Sequence, residues 1–309
     1  MRVLIIGATG FIGLPAAQAL VRAGHVVFGL ARTPEKAKLL AVEEIVPVSG
    51  DASDPSKWID LVATIDVIIE AIGGTMELPQ LSTKVLNAVS EASQKLRPAG
   101  SAKIAYIYTS GVWVHGDDRK NYVTDTTPIV NPAALVAWRP ALEKLVATHT
   151  VLNGIVVRPG LVYGRSASLL ASAFAAPTGK VLWPGTPGGR LSVVHTDDLA
   201  EFYLLASEKS AVLAGQIFDI VNDVTESVDD VLARVVKVNG ASGYEYFTPT
   251  NPFEAAIAST NLIRPHLARA LLGWVPRKAG LVDGLETYYA AFKAANSNED
   301  AWSAYTAAK

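Results

Sequence analysis

The chain has 309 residues, of which 50% are hydrophobic, and a formal net charge of -2. Its mean hydropathy of +0.27 predicts a globular protein with a large core and excludes a disordered chain. So small a net charge gives no electrostatic case for a nucleic acid or an anionic membrane as partner. The absence of cysteine excludes disulfides, thiolate catalysis and cysteine metal sites.

The N-terminal stretch MRVLIIGATGFIGLPAAQAL has the basic, apolar and small residues of a secretory signal. Glycine and threonine interrupt its apolar run at regular spacing, which favours a folded element instead. No other stretch reaches the run of about 18 uncharged apolar residues that a membrane span needs. We therefore expect a soluble, cytoplasmic protein with no membrane partner.

Short β-branched runs alternate with helical patterns over the first 165 residues. The predicted strands are residues 2–8, 25–31, 44–50, 66–72, 103–110 and 153–160. The predicted helices between them are residues 11–24, 33–41, 55–63, 81–96 and 132–149, the last of which Pro140 is expected to disturb. Strands that are apolar on both faces and alternate with helices indicate a parallel sheet covered on two sides. With right-handed crossovers, this predicts an α/β fold with a doubly wound parallel Rossmann sheet.

The pattern changes after residue 165. Proline and glycine cluster over residues 175–190, and further strands are predicted at the start of 191–207 and over 216–223. Helices are predicted over 227–240 and 280–295. We interpret residues 1–165 as the dinucleotide-binding core, with later strands contributed from about 190–222. Residues 166–295 mainly form a smaller mixed α/β C-terminal lobe for the substrate, and 296–309 a flexible tail.

The stretch GATGFIG follows the first predicted strand and opens a helix. Gly7 permits a tight turn, Gly10 lets the backbone approach a pyrophosphate, and Gly13 lets the helix pack against the strand. The helix N-terminus supplies free N–H groups and a favourable dipole for phosphates. This context favours a dinucleotide site over a glycine-rich turn without a ligand. The predicted cradle consists of Gly7, Thr9, Gly10, Phe11, Ile12 and Gly13.

The end of the second strand reads LARTPEK, where an NAD-binding chain would carry an acidic residue for the ribose 2′-hydroxyl. Arg32 and Lys36 are cations that suit a 2′-phosphate, so NADP(H) is favoured over NAD(H). The alternative is that both are solvated surface residues. Further cofactor contacts are predicted at Asp51, Ala52, Ala71, Ile72 and Gly73. Asp51 either bonds the adenine amino group or caps a turn.

With these residues assembled, the chain resembles the extended short-chain dehydrogenase/reductase family, the NAD(P)-dependent epimerase/dehydratase group. The resemblance covers nearly the whole chain. It rests on GATGFIG, YTSGVWVHG (108–116), VVRPGLVYGR (156–165), SVVHTDDLA (192–200) and LLGWVP (271–276). It implies that Pro159, Gly160, Leu161 and Val162 line the nicotinamide and that residues 195–198 organise the edge of the site. By analogy alone it also suggests a homodimer.

The family's catalytic serine and Tyr-x-x-x-Lys pair are replaced in this sequence. Aligning on VHG places Gly111 at the serine, and aligning on Glu143 places Leu135 at the tyrosine and Arg139 at the lysine. Arg139 can still bind ribose hydroxyls, but it cannot shuttle a proton at neutral pH. Leu135 is a pocket wall or a core residue. A Tyr-x-x-x-Lys spacing does occur at 289–293, but in the last helix, and we interpret it as coincidence.

Other side chains near the strand-five end are candidates for the chemistry. Ser110 could orient a carbonyl or cap backbone, and His115 could be a general acid. Trp113 is either a stacking wall for an aromatic or terpenoid substrate or part of the core. Tyr163 could donate a proton in a rearranged pocket. No cluster of His, Asp or Glu has metal-ligand spacing, so no metal is expected.

The sequence leaves three functional hypotheses open. The first is an atypical NADP(H)-dependent reductase of a small apolar carbonyl or enone, with the proton supplied by Ser110, His115 or water. The second is a non-catalytic NADP(H)-binding sensor or regulator, consistent with the loss of the three catalytic positions. The third is a redox-neutral isomerase or lyase that keeps the same pocket.

Overall fold

The computed structural model of the chain describes residues 1–74, 77–166, 169–175 and 179–296. The flexible tail expected from residue 296 lies outside these ranges, apart from Asn296 itself. No helix within the described ranges is long and apolar enough to cross a membrane.

A parallel sheet forms the centre of the molecule. The strands in chain order are β1 (Arg2–Ile6), β2 (Val26–Ala31), β3 (Val46–Ser49), β4 (Val67–Glu70), β5 (Ala105–Thr109), β6 (Asp118–Val123), β7 (Asn153–Pro159), β8 (Leu161–Tyr163), β9 (Lys180–Pro184), β10 (Arg190–Leu191), β11 (Val193–His195), β12 (Ile217–Ile220), β13 (Glu226–Ser227), β14 (Gly243–Phe247) and β15 (Asn261–Ile263). Seven of them form the sheet β12-β7-β5-β4-β1-β2-β3, in which every neighbouring pair is parallel. The predicted doubly wound Rossmann sheet is therefore confirmed.

The strand order reverses between β1 and β4, which are neighbours in the sheet. In open α/β sheets such a switch point opens a crevice at the carboxyl ends of the strands, and ligands bind there. The loops that leave β1, β4, β5 and β7 all start at this edge. The topology thus brings GATGFIG and YTSGVWVHG to one side of the molecule.

Helices cover both faces of the sheet and build the C-terminal lobe. They are α1 (Gly13–Arg22), α2 (Pro34–Val42), α3 (Leu78–Leu96), α4 (Arg139–Ala147), α5 (Ala171–Phe174), α6 (Thr196–Glu208), α7 (Val228–Asn239), α8 (Pro252–Ala258), α9 (Leu267–Leu272) and α10 (Leu285–Ala295). Residues 55–63, predicted as one helix, form two short 3-10 segments instead, Pro55–Lys57 and Ile59–Ala63.

The helix predicted over 132–149 is shorter than its apolar pattern suggested. A 3-10 turn spans Ala134–Val136, and α4 begins only at Arg139. Pro140 is the reason, because proline lacks an N–H and is tolerated only in the first turn of a helix. Leu135 therefore lies outside α4, in the turn that leads into it.

Alternate residues of the strands supply two separate cores. Val3 and Ile5 of β1 join the layer of α1 and α6, whereas Leu4 and Ile6 join the layer of α3 and α4. This is the side-chain alternation of a strand buried on both faces. A third core fills the C-terminal lobe, with Trp183 among its buried members.

The close packing of β7 against α4 depends on Gly154. A Cβ at this position would lie 1.8 Å from the backbone oxygen of Val146. We expect Gly154→Ala to lower the free energy of unfolding by about 3 kcal/mol, because backbone must move to relieve the clash. Gly73→Ala is the control, since its added methyl meets no atom of the described residues within 4 Å. Urea unfolding followed by tryptophan fluorescence measures both, and equal midpoints would contradict the expectation.

Candidate functional site

The glycine loop after β1 is packed as tightly as a dinucleotide cradle requires. A Cβ on Gly7, whose φ is +96°, would lie 2.4 Å from the backbone oxygen of Ala71, and one on Gly13 would lie 2.1 Å from the oxygen of Gly7. No side chain caps the N-terminus of α1 within the described chain. The N–H groups of Leu14 and Ala16 donate to the oxygens of Gly10 and Ile12 at 3.0 and 3.3 Å, and Pro15 has no N–H, so α1 offers a phosphate mainly the positive end of its dipole. The loop fits a pyrophosphate.

The predicted adenosine end has two exposed cations and one structured carboxylate. The Arg32 side chain is 77% exposed, and its Nε lies 3.8 Å from Oδ2 of Asp51. The other Asp51 oxygen accepts hydrogen bonds from the N–H and the hydroxyl of Ser53, which hold the pKa of Asp51 below its ordinary value. Asp51 thus caps a turn, while Lys36 is an exposed residue in the first turn of α2.

Two further loops close around the same edge. Ala71 continues from β4, and its N–H donates to the Ile6 oxygen at 2.8 Å. After β7, Gly160 donates to the oxygen of Ile220, and a Cβ on it would lie 2.5 Å from the oxygen of Ser192. The next two residues, Leu161 and Val162, belong to the lobe core and the sheet core respectively. This loop therefore joins the lobe to the cofactor side of the sheet.

The polar residues at the end of β5 bind to the layers on either side of the sheet. Thr109 shares a 2.7 Å hydrogen bond with the hydroxyl of Tyr203 on α6. Ser110 is buried and donates its hydroxyl hydrogen bond to Glu143 on α4. Strand alternation explains the opposite directions, since Thr109 and Ser110 are consecutive residues. Both hydroxyls are engaged by the protein.

A buried ionic chain continues from Ser110 to His115. Arg158 on β7 donates to both oxygens of Glu143, at 2.5 Å from Nη2 and 3.1 Å from Nε. Its Nη1 lies 3.7 Å from Oδ1 of Asp219 on β12, and Oδ2 of Asp219 lies 2.9 Å from Nε2 of His115. The side chains of Arg158, Asp219 and His115 are 5%, 0% and 2% exposed. Ser110 and His115 are thus the two ends of one buried network.

Arg139 lies at the carboxyl end of β5, as the alignment predicts. Its Nη1 donates to the Thr109 oxygen at 3.0 Å and to the Tyr108 hydroxyl at 3.3 Å. The guanidinium carbon is 4.9 Å from the centroid of the Trp138 ring. Burial raises the pKa of Tyr108, so its phenol stays protonated. Tyr108 is 1% exposed and faces the α3–α4 layer, away from the cleft.

The remaining candidates have structural partners in the described chain. The Tyr163 hydroxyl donates to the Ala279 oxygen and accepts from Asn222, and burial raises its pKa. His195 precedes α6 and accepts the Asp197 N–H at 3.0 Å through Nδ1. The 289–293 pair lies in α10, where the ammonium of the lysine is 4.8 Å from the tyrosine ring.

Apolar side chains form a wall near the end of β5. Trp113 lies in the 3-10 turn Val112–His115, which begins directly after Gly111. Its ring packs edge to face against the ring of Phe253, with 6.4 Å between the two centroids. Phe253 comes from α8, which packs against the turn that carries Leu135. Sequence reasoning did not identify Phe253, because nothing local places a residue 140 positions further along beside Trp113.

Glu70 is a second residue that sequence reasoning missed. It ends β4 immediately before Ala71, and its carboxyl accepts hydrogen bonds from Ser82 and Tyr106. Burial raises the pKa of Glu70, and these two hydrogen bonds oppose that effect in part. Among the described residues, no group of three or more His, Cys, Asp or Glu side chains is arranged to hold a metal ion.

Comparisons with known proteins agree with this geometry. The model of the NAD dependent epimerase/dehydratase family matches residues 3–220. A 3-diazoavenalumate denitrifying reductase from a Streptomyces species is 27% identical over 313 residues, 92% of this chain and 99% of that protein. A phenylcoumaran benzylic ether reductase from Ginkgo biloba is 36% identical over 98 residues, 29% of this chain and 31% of that protein.

A solved structure shows the same fold at low identity. The dTDP-glucose 4,6-dehydratase from Bacillus anthracis, in complex with NAD, superposes with a TM-score of 0.78 at 14% identity. The match covers 96% of this chain and 98% of that chain.

The buried pair of Glu143 and Arg158 gives a stability prediction. Glu143→Gln keeps the shape of the side chain but removes the negative charge that pairs with Arg158. Breaking a buried ion pair lowers the free energy of unfolding by about 3–5 kcal/mol. Glu286→Gln is the control, because it removes a partner of Arg234 from a pair that is 57% and 28% exposed, where the expected loss is at most about 1 kcal/mol. Urea unfolding measures the stability of both variants. Equal losses of unfolding free energy would contradict the expected difference between the buried and the exposed pair.

Proposed function

Because this chain belongs to the NAD dependent epimerase/dehydratase family, we propose that it is an NADP(H)-dependent reductase of a small apolar carbonyl or enone. The observation that carries the proposal is the tight glycine loop at the switch point, where Gly7 and Gly13 have no room for a side chain. It lies at the same edge of the sheet as the wall of Trp113 and Leu135. A dinucleotide and an apolar substrate would therefore meet there.

Different residues of the cleft would contact different parts of the dinucleotide. The glycine loop and the N-terminus of α1 would hold the pyrophosphate, and the 71–73 and 159–162 loops would line the ribose and nicotinamide. Arg32 and Lys36 would bind a 2′-phosphate, which favours NADP(H) over NAD(H). When bound, the dinucleotide supplies a hydride.

Arg139 would position the nicotinamide ribose in place of the family's lysine. Its guanidinium is fixed by Tyr108 and by the Thr109 oxygen, so its planar donor group needs little reorganisation to bind hydroxyls. It cannot give up a proton at neutral pH. Since the hydroxyl of Ser110 and the ring of His115 are held in the buried network, we assign the proton to water.

Of the activities found in this family, the relatives support that of a reductase. The two curated relatives described above are both reductases by name, and one of them aligns over 99% of its own length. A cytoplasmic location and a homodimer stay predictions of the sequence and the family resemblance. A second candidate function, an NADP(H)-binding sensor or regulator without turnover, is favoured by the replacement of all three catalytic positions.

Oxidation of NADPH tests the reductase against its alternatives. We expect a panel of apolar aldehydes, ketones and enones to include a compound that lowers the near-ultraviolet absorbance of NADPH in proportion to product formed. Binding of NADP⁺ and NADPH without turnover of any compound would favour the sensor. Product formed with no net NADPH consumed would indicate an isomerase or lyase.

The cofactor preference gives a separate prediction. Removing both cations in Arg32→Ala/Lys36→Ala should weaken NADP⁺ binding about tenfold or more, because charged hydrogen bonds contribute about 1.5–3 kcal/mol. Binding of NAD⁺, which lacks the 2′-phosphate, should hardly change. Lys38→Ala, also exposed and on α2, is the control. Calorimetry measures both affinities, and an equal loss for the two dinucleotides would contradict a 2′-phosphate site.

A further inference from the structure

We propose that the substrate is a flat aromatic molecule whose ring packs against Trp113 and Phe253. The inference rests on the proposed reductase function and names the substrate class for that site. It adds Phe253, on α8, as a residue that determines specificity.

The two rings form a wall that is only partly covered. Their centroids are 6.4 Å apart and their planes meet at 86°, which is the edge-to-face arrangement that aromatic pairs prefer. Trp113 is half-buried, and Phe253 remains 37% exposed. A third ring can therefore add to the pair without displacing any core side chain.

Gly111 leaves free space at the end of β5. A Cβ added at Gly111 would meet only the Pro159 oxygen, at 3.9 Å, within the described chain. A side chain would fit at this position, and the glycine leaves its volume free. The free space lies between the ends of β5 and β7, two residues before Trp113.

The wall is held in place by backbone hydrogen bonds. The Trp113 oxygen accepts from the N–H groups of Gly116 at 3.1 Å and Ala133 at 3.0 Å. On the other side, Asn251 caps α8 by accepting the Glu254 N–H at 3.0 Å. Because both turns are fixed, the rings are presented without the loss of loop entropy on binding.

The chemistry of the wall disfavours a sugar. A sugar buries many hydroxyls, which need hydrogen-bond partners when they leave water. Trp113 and Phe253 present mainly carbon surface, and the hydroxyls of Thr109 and Ser110 at the end of β5 are already bonded within the protein. An aryl ring has no hydroxyl that would lose its hydrogen bonds to water on this surface. It also gains contacts with the rings of Trp113 and Phe253.

A matched ligand pair tests the proposal. Cinnamamide and 3-cyclohexylacrylamide share the conjugated amide and differ in whether the ring is aromatic and flat. Calorimetry with the NADP⁺-bound protein should show cinnamamide binding about tenfold more tightly, which corresponds to about 1.4 kcal/mol of ring contacts. Trp113 fluorescence should change with cinnamamide and lose that change in Trp113→Phe.

Variants separate the wall from other aromatic surfaces. Phe253→Leu and Trp113→Leu should each reduce the preference for cinnamamide over 3-cyclohexylacrylamide to less than threefold. An unchanged NADP⁺ affinity shows that both variants fold. Tyr122→Leu removes an aromatic side chain that is 58% exposed on β6 and should keep the preference. Equal affinity of the wild type for both amides, or an undiminished preference in both wall variants, would overturn the proposal.

The same reagents keep this inference distinguishable from the proposed function. Oxidation of NADPH is measured separately with cinnamaldehyde and 3-cyclohexylpropenal. A ring preference in binding without oxidation of NADPH by any panel compound refutes the reductase but supports the aromatic site. Oxidation of NADPH without a ring preference supports the reductase and overturns the aromatic site.

Discussion

The buried ion pair between Glu143 and Arg158 is the interaction on which the active edge of this molecule depends. It joins α4 to β7, reaches β12 through Asp219, and receives the hydroxyl of Ser110 at the end of β5. Two charges that have left water are stable only when their geometry and remaining hydrogen bonds are satisfied. The pair therefore fixes how these elements meet, and His115 completes the network at the other end.

This network also determines which groups remain for chemistry. Ser110 and His115 are polar residues at the expected place, yet both are engaged in holding the sheet edge together. Trp113 in the turn after β5 and Leu135 in the turn before α4 are half-buried apolar residues, and Gly111 leaves the space of a side chain free. In the function that we propose, the cleft holds a dinucleotide beside an apolar wall, and the proton comes from water. Hydride acceptors that need no strong protein acid suit such a site.

Arg139 illustrates how a substitution can preserve one role and discard another. The guanidinium keeps a positive charge at the end of β5, and Tyr108 and the Thr109 oxygen hold it there. Positioning of a ribose requires only fixed donors and is compatible with arginine. Proton transfer requires a group that titrates near neutral pH, and arginine does not. In the function that we propose, Arg139 therefore binds the ribose and takes no part in proton transfer.

The sequence by itself determined the parallel sheet and the tight glycine loop, because both follow from local patterns: strands apolar on two faces, and glycines where a backbone must turn tightly. Only the tertiary structure decided that Ser110 and His115 are ends of one ionic chain, and that Phe253 stands beside Trp113. These contacts join residues far apart in the chain, and their partners are set by packing of separate layers, which no local pattern encodes.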